Sequence, residues 1–369
     1  DTVTKTIAVV PFSFTEHSGM VSDEPGSYPV DIAPDADPKT SMVTVSLSPT
    51  ILGSLASAMH SMYYYPFDCA EQTTSRIMTA LLIKANPTLF SDVIDPTDID
   101  KTIRLGFNRL KTIQNLDGGW AWWLEGPSDP FVTAYITEVI WYAKASGVTI
   151  DENLLNQLNG YVRMYAQKVG GSDDQHALAM IMATNMQQQS IQLSVRFDQL
   201  SPDILPLMVL SNVKKGIRDV STNGMNTLLS KATTDTSSAY WPTGNVRRFG
   251  APEVTTALAI RAMAMGGSDR SLGVKAARYL LRSRRSDMWV HTFATAQAMW
   301  ALTEFYKTGE ESTPNYSYTV RATDRVAASG TVTSPRQRIA DIRIPVSAFP
   351  EKNASVSVAK TGAGSLYTV

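Results

Sequence analysis

The sequence predicts a mainly α-helical fold, an α/α toroid of about six helical hairpins inserted into a small β-sandwich. Three observations carry this. Both ends alternate apolar and polar residues in the strand period, the long middle follows the helical period, and that middle repeats one short motif.

In the N-terminal end, Val43, Val45 and Leu47 alternate with polar neighbours, and Gly26, Pro29, Pro34 and Pro38 punctuate turns. From about Ile51 to Lys307 the period changes. Val254, Ala257, Leu258, Arg261, Ala262 and Met265 mark one helical face, with Arg261 its polar intruder, and Gly266-Gly267 stop the helix. His176 to Met186 is apolar on nearly every side, which predicts a helix covered all round, in an inner layer. A Trp-bearing loop followed by a helix with Thr-Ala near its start recurs: Trp120, Trp122, Trp123 then Thr133-Ala134; Trp241 then Thr256-Ala257; Trp289 then Thr295-Ala296. About 255 residues at about 40 per hairpin give roughly six hairpins, and closure is favoured over an open solenoid, which would need capping repeats. After Pro314 the strand period returns at Tyr316, Tyr318, Val320, Ile342, Ile344, Val356 and Val358. The expected division is therefore 1–52 and 313–369 as two parts of one sandwich, with the toroid at 53–312; insertion of one domain into another suits termini that lie close together. The abrupt start at Asp1 and the strand-like Leu366 to Val369 lead to the expectation of a piece cut from a longer chain.

Composition narrows the function. Lys and Arg number 33 and Asp and Glu 34, a net charge of −1, which gives no electrostatic case for nucleic acid or an anionic membrane as partner. No apolar run approaches the roughly 18 residues of a membrane-spanning helix, so direct membrane insertion is not expected. Gly and Pro at 22 and 19 are ordinary, which excludes collagen-like and wholly disordered chains. No phosphate-binding glycine loop and no metal-ligand pair is present, and no cofactor or metal is expected. With 1 Cys there is no internal disulfide. Cys69 is either a buried small hydrophobe, the usual fate of a lone thiol, or a reactive group working with non-Cys partners.

The densest cluster is Tyr63-Tyr64-Tyr65-Pro66-Phe67-Asp68-Cys69-Ala70-Glu71-Gln72-Thr73-Thr74-Ser75-Arg76. Asp68 and Glu71 read as an acidic capping box that starts a helix at Cys69. Cys69 and Gln72 are then i and i+3, adjacent on the first turn, where a thiol and a carboxamide could condense with loss of ammonia into an internal thioester. A helix N-terminus is expected to lower the thiol pKa and to polarise the carbonyl. A thioester also needs a dry cover, and the candidates are Tyr63, Tyr64, Tyr65, Phe67, Trp120, Trp122 and Trp123, each of which could equally be ordinary core.

Cys-Ala-Glu-Gln after Pro-Phe-Asp resembles the Pro-Tyr-Gly-Cys-Gly-Glu-Gln thioester signature of alpha-2-macroglobulins and complement components. The resemblance extends over essentially the whole chain, as a thioester domain of toroid type inserted into a CUB-like β-sandwich. Gln114 to Trp123, and Glu253 to Leu258 after Tyr240-Trp241-Pro242, resemble toroid segments of that family. Thr73-Thr74-Ser75-Arg76 and the tail Gly362 to Tyr367 are similar to its prokaryotic branch. The resemblance implies that Cys69 is the thioester sulfur, Gln72 the acyl donor and Glu71 a supporting neighbour read as helix capping. Asp68 and Ala70 depart from the glycines of the vertebrate signature. Some members pass the acyl group through a downstream histidine; here that stretch is shortened to Gly170 through Gln175, and His176, which follows, reads as structural. Without such a histidine, amines are the expected nucleophiles. His17, His60 and His291 complete the set.

The resemblance further implies an exported protein, periplasmic or secreted, that is not a turnover enzyme but conjugates covalently to a protease or other target protein after cleavage elsewhere in the full chain shifts its remaining domains. Two rivals stand beside this reading. A toroid enzyme of terpene cyclase or prenyltransferase type needs an Asp-rich or Asp/Cys/His metal site, and Asp173-Asp174 is poor support for one; a structural module with an inert Cys69 is the other. The sequons at Asn315 and Asn353 and the basic run Arg282, Arg284, Arg285 read as chance triplets and a solvated helix end.

Overall fold

The computed structural model describes residues 22, 24–90, 94–168, 170–188, 190–243, 250–268, 270–285, 287–308, 313–337, 339–349 and 354–368. His17, Asn353 and Val369 lie outside them. In chain order the elements are β1 (Gly26–Pro29), β2 (Met42–Val45), β3 (Leu47–Ser48), α1 (Ala56–Tyr63), α2 (Ala70–Ala85), α3 (Pro87–Phe90), α4 (Pro96–Thr112), α5 (Pro130–Ala145), α6 (Glu152–Ala166), α7 (Asp173–Asn185), α8 (Leu205–Lys215) and α9 (Arg218–Ser230). They continue with β4 (Thr233–Thr234), β5 (Ala239–Tyr240), α10 (Pro252–Gly266), α11 (Arg270–Ser283), α12 (Thr292–Lys307), β6 (Asn315–Ala322), β7 (Arg325–Val332), β8 (Ile342–Pro345), β9 (Ser355–Ala363) and β10 (Tyr367–Thr368).

The helices apolar on nearly all sides form an inner ring. Contacts run α2 to α5, α5 to α7, α7 to α8, α8 to α10, α10 to α12 and α12 back to α2, so the toroid is closed. The amphipathic helices α4, α6, α9 and α11 pack outside against α2, α7, α8 and α10, and α1 sits over the seam between α12 and α2. Local chemistry starts the inner helices. The Asp129 carboxylate accepts the Phe131 and Val132 N–H groups with Pro130 following it, and Ser172 and Gln175 form a capping box on α7. The chain ends pair with each other around the helices: β1 with β9, β2 with β8 and β3 with β10, all antiparallel, and β1-β9-β6-β7 form a four-stranded sheet. Val45, Leu47, Val320, Val332, Ile344, Val356 and Val358 are buried between them as a second core, separate from that of the helices.

The Trp repeat has a common geometry. The indole N–H of Trp120 donates to the Leu110 carbonyl at 2.8 Å, that of Trp241 to Leu228 at 2.7 Å and that of Trp289 to Leu280 at 2.8 Å. Each ring thus satisfies a carbonyl at the C-terminal end of an outer helix. Each Trp backbone N–H donates in turn to a threonine of the next inner helix, Thr133, Thr256 or Thr295. One residue therefore ties the outer helix, the loop and the inner helix, which is why Trp and Thr recur together. Gly118 lets the first of these loops turn. Its φ of +89° suits glycine, and an added Cβ would lie 1.9 Å from the Gln157 carbonyl oxygen.

The alternation of inner and outer helices breaks once among the described residues. Between α7 and α8, both inner, the described residues hold turns at 190 and 202–204, a short 3-10 turn at Phe197–Gln199 and no regular secondary structure over 191–196. The segment leaves α7 through a Schellman closure, Gln187 N–H to the Thr184 carbonyl at 3.1 Å and Gln188 N–H to the Ala183 carbonyl at 2.8 Å. Gln187 takes the left-handed conformation there, φ +56°, a place that favours glycine. Gln187→Gly is accordingly expected to raise the unfolding free energy by roughly 1 kcal/mol, read as a higher urea midpoint at unchanged slope.

Candidate functional site

The first turn of α2 places Cys69 at the N-cap in extended geometry, φ −60° and ψ 169°. Its sulfur accepts the Gln72 N–H at 3.4 Å, and the Gln72 side-chain carbonyl accepts the Cys69 N–H at 3.4 Å. The thiol and the carboxamide are thus folded onto each other by a reciprocal pair of bonds, a capping box made by the two residues singled out from the sequence. The free Cys69 is buried, at 8% exposure.

Three expectations are corrected here. Asp68 is not the helix cap: α2 starts one residue later, the Asp68 carbonyl accepts the Thr73 hydroxyl at 3.1 Å, and its carboxylate lies 3.4 Å from Arg109 Nε on α4. Nor does Glu71 cap. It is turned inward and buried, accepting the Ser75 hydroxyl at 2.6 Å and the Thr292 hydroxyl of α12 at 2.8 Å, because these hydroxyls reach both carboxyl oxygens in the interior. The Tyr135 hydroxyl of α5 completes the group at 3.0 Å from Ser75. Burial pushes the Glu71 carboxyl up, against the two hydroxyl bonds that lower it. The acidified thiol expected from the helix terminus is also not found. Burial pushes the Cys69 thiol above its ordinary value and outweighs the N–H groups of Gln72 and Glu71 that draw it down.

The aromatic candidates separate into distinct positions. Tyr63 is buried with its hydroxyl 2.7 Å from Thr102, and Trp120 is fully buried in its inter-helix role. Trp122 is half-buried, and its carbonyl accepts the Ala70 N–H at 3.2 Å, so this loop meets the start of α2 directly. Tyr65 is half-buried, held by Arg76 donating to its carbonyl at 3.1 Å, with Phe67 edge-on at 5.8 Å. Tyr64, Phe67 at 60% and Trp123 at 67% stand exposed. His176 is half-buried on α7, with α5 between that helix and α2. It is His291 that sits on the helix adjoining α2: it caps α12, accepting the Ala294 N–H at 3.1 Å, and its neighbour Thr292 is the residue bonded to Glu71.

A second polar group, missed from the sequence apart from the intruder Arg261, fills the ring's interior. Glu138 of α5 meets Arg261 of α10 at 2.8 Å and Lys214 of α8 at 3.4 Å. Gln297 of α12 accepts from Arg261 at 2.8 Å, Asn185 of α7 accepts from Lys214 at 3.2 Å, and Trp300 lies under the guanidinium at 3.3 Å. Burial alone would raise the Glu138 carboxyl, but the two cations outweigh it and hold it below the usual range. Among the described residues no group of His, Cys, Asp and Glu is arranged to hold a metal ion, and no helix is long and apolar enough to cross a membrane.

No protein-family model matches the chain. Alpha-2-macroglobulin of Thermotoga maritima is 27% identical over 121 residues, 33% of this chain and 8% of that protein. The structure of Salmonella alpha-2-macroglobulin reacted with methylamine matches 96% of this chain and 23% of its own at TM-score 0.66 and 18% identity. Native Escherichia coli alpha-2-macroglobulin from domain MG7 to the C-terminus matches over 94% of this chain and 55% of its own, at TM-score 0.66 and 15% identity. Fold and site together define a closed helical toroid, joined to a small antiparallel sheet, with a cysteine and a glutamine paired at the head of one inner helix. By these matches the chain is similar in sequence to bacterial alpha-2-macroglobulins over part of its length, and it shares its fold with part of their stretch from domain MG7 to the C-terminus. It spans less than a tenth of the length of the Thermotoga relative and under a quarter of the Salmonella one.

Proposed function

We propose that the chain is the thioester-bearing part of an exported alpha-2-macroglobulin-like inhibitor, which captures a protease or other protein by acyl transfer from Gln72. The observation that carries this is the reciprocal Cys69–Gln72 pairing. The Cys69 sulfur adds to the Gln72 side-chain carbonyl carbon, ammonia leaves, and the Cys69 N–H that already binds the carbonyl oxygen stabilises the oxyanion. A target lysine amine then adds to the same carbon, the thiolate leaves and is reprotonated, and an amide joins Gln72 to the target. Each molecule acts once, so this is no turnover enzyme. A thiol whose ionisation burial disfavours is a poor leaving group, which keeps the bond latent while the site is closed.

Glu71 then supports the site by fixing the first turn of α2 to α12. Tyr63, Tyr65 and the Trp122 loop form the nearer cover, and exposed Tyr64, Phe67 and Trp123 are completed by the remaining domains of the full chain. Residues 53–312 act as the thioester domain and 1–52 with 313–369 as its CUB-like support, in a periplasmic or secreted protein. Relatives support this: the Salmonella protein was solved reacted with methylamine, and the Escherichia coli protein activated by porcine elastase and by trypsin.

The test is the intact mass of freshly prepared protein. It is expected one ammonia below the sequence mass with Cys69 silent to thiol reagents; methylamine then adds its full mass, forming an N-methylamide at Gln72 and freeing one thiol, while glycerol reacts poorly. A full sequence mass with a freely titrating thiol, in material never exposed to amines, would sink the proposal.

A further inference from the structure

We infer that the extended segment Ile191–Val195 and the cavity beneath it form a docking site for an extended, acidic segment of a partner protein, received by strand addition. The site is independent of the acyl-transfer chemistry and lies near the other ends of the inner helices. Where the other neighbouring pairs of inner helices are bridged by an outer helix, α7 and α8 are bridged by this segment. It runs back along α7: its start is tied to α6 through Gln188 and Asn159, and its end to the head of α7 by Arg196 to Asp173 at 3.1 Å and Ser201 N–H to Asp174 at 2.9 Å. α7, thirteen residues long, rises about 20 Å; an extended segment crosses that distance in about six residues.

Between these ties the backbone is open. Ile191, Leu193, Val195 and Phe197 turn inward and Gln192, Ser194 and Arg196 outward, a strict strand alternation. Among the described residues, the N–H and C=O groups of Ile191 through Val195 bond to no other group. A row of unpaired backbone groups held in strand geometry is a template for another strand, and an extended peptide that adds to it sends alternate side chains inward. Room for those side chains exists. A cavity of about 1340 Å³ lies between the segment and the helices, with Met180 of α7 and Met208 and Val213 of α8 on its apolar wall.

The charge of the wall selects the partner. Lys214 and Lys215 both line the cavity. Lys214 is answered by Glu138, which Arg261 already shares, so two cations face one carboxylate. Lys215 is half-buried and, among the described residues, has no ion-pair or hydrogen-bond partner; burial lowers its pKa. A carboxylate on the incoming segment supplies the missing charge, whereas a basic segment meets uncompensated lysines.

The probe is a short acetylated peptide alternating valine with glutamate, titrated onto the full chain by fluorescence anisotropy. Saturable binding is expected, with slowed amide exchange confined to residues 190–196. Methylating alternate backbone nitrogens of the peptide, or replacing its glutamates by lysines, is expected to weaken binding by about tenfold or more, as loss of backbone bonds or charge requires. Lys215→Glu is expected to weaken it similarly, and Ser194→Pro, which removes an edge N–H, to do so with an unchanged melting temperature. Equal affinity for the methylated peptide overturns strand addition, and equal affinity for the lysine peptide overturns the charge assignment. An absence of binding to the unmodified chain overturns the site as a whole, as does slowed exchange elsewhere without change at 190–196.

Discussion

Arg261→Ala is expected to lower the unfolding free energy by roughly 3–5 kcal/mol at neutral pH, because it strands a buried carboxylate. Glu138 would keep Lys214 at 3.4 Å but lose its shorter and doubly bonded partner, and Gln297 would lose its donor. The guanidinium packed on Trp300 would also be replaced by a void. The pH dependence distinguishes this from simple loss of packing. In the wild type the Glu138 carboxyl is held below its unfolded value, so its contribution is present above that value and is lost as pH falls through the folded one. Removing Arg261 raises the carboxyl toward the direction burial alone dictates. The cost of the substitution should therefore be largest near neutrality and shrink in acid, where Glu138 can be neutral. Urea unfolding at a neutral and an acidic pH measures both; a loss equal at the two would assign the effect to packing and not to charge.

Trp289→Ala is expected to cost a similar amount, roughly 3–5 kcal/mol, through the cavity left by a ring only 3% exposed. Trp289→Phe keeps most of the apolar volume and removes the indole donor, leaving the Leu280 carbonyl with only the Ser283 hydroxyl at 3.0 Å, at a cost of about 1 kcal/mol. The same pair of substitutions at Trp241 should give the same ordering, since its ring reaches Leu228 and its backbone Thr256 in the same way. Denaturant midpoints for these variants test whether the repeated geometry is a repeated energetic unit; a Phe variant as damaging as Ala would show that the hydrogen bond, and not the ring volume, dominates.

The fold was legible because its signals are periodic. The all-round apolar His176 to Met186 run marked an inner helix, and Val356 and Val358 alternated as the strand they form. The Trp and Thr-Ala repeat was visible as spacing, but not the indole-to-carbonyl bond that explains it. Cys69 and Gln72 were legible as a pair through their i, i+3 separation; the start of the helix slipped by one residue because Asp is a stronger cap than Cys in general, and here the thiol took that place. The turn of Glu71 toward Thr292 could not be read from a local window, since the two lie 221 residues apart. Glu138 and Arg261, 123 residues apart, left only the trace of one charge on an apolar face. The break in the ring was missed: residues 187–200 fall in the stretch expected to be helical, although Ile191, Leu193, Val195 and Phe197 alternate there in the strand period.

The bond between Thr292 and Glu71 also fixes when the site can come into being. Cys69 and Gln72 are made early, on the first inner helix, yet the wall that buries Glu71 beside them belongs to the last. On a ribosome, the nascent segment around Cys69 must wait through the synthesis of the entire intervening helical array before α12 arrives to close the seam. Contacts of such long sequence separation form late and slowly. Enclosure of Glu71 is thereby timed to completion of the ring, and a chain stalled or truncated before Thr292 would carry Cys69 and Gln72 without the α12 wall beside them.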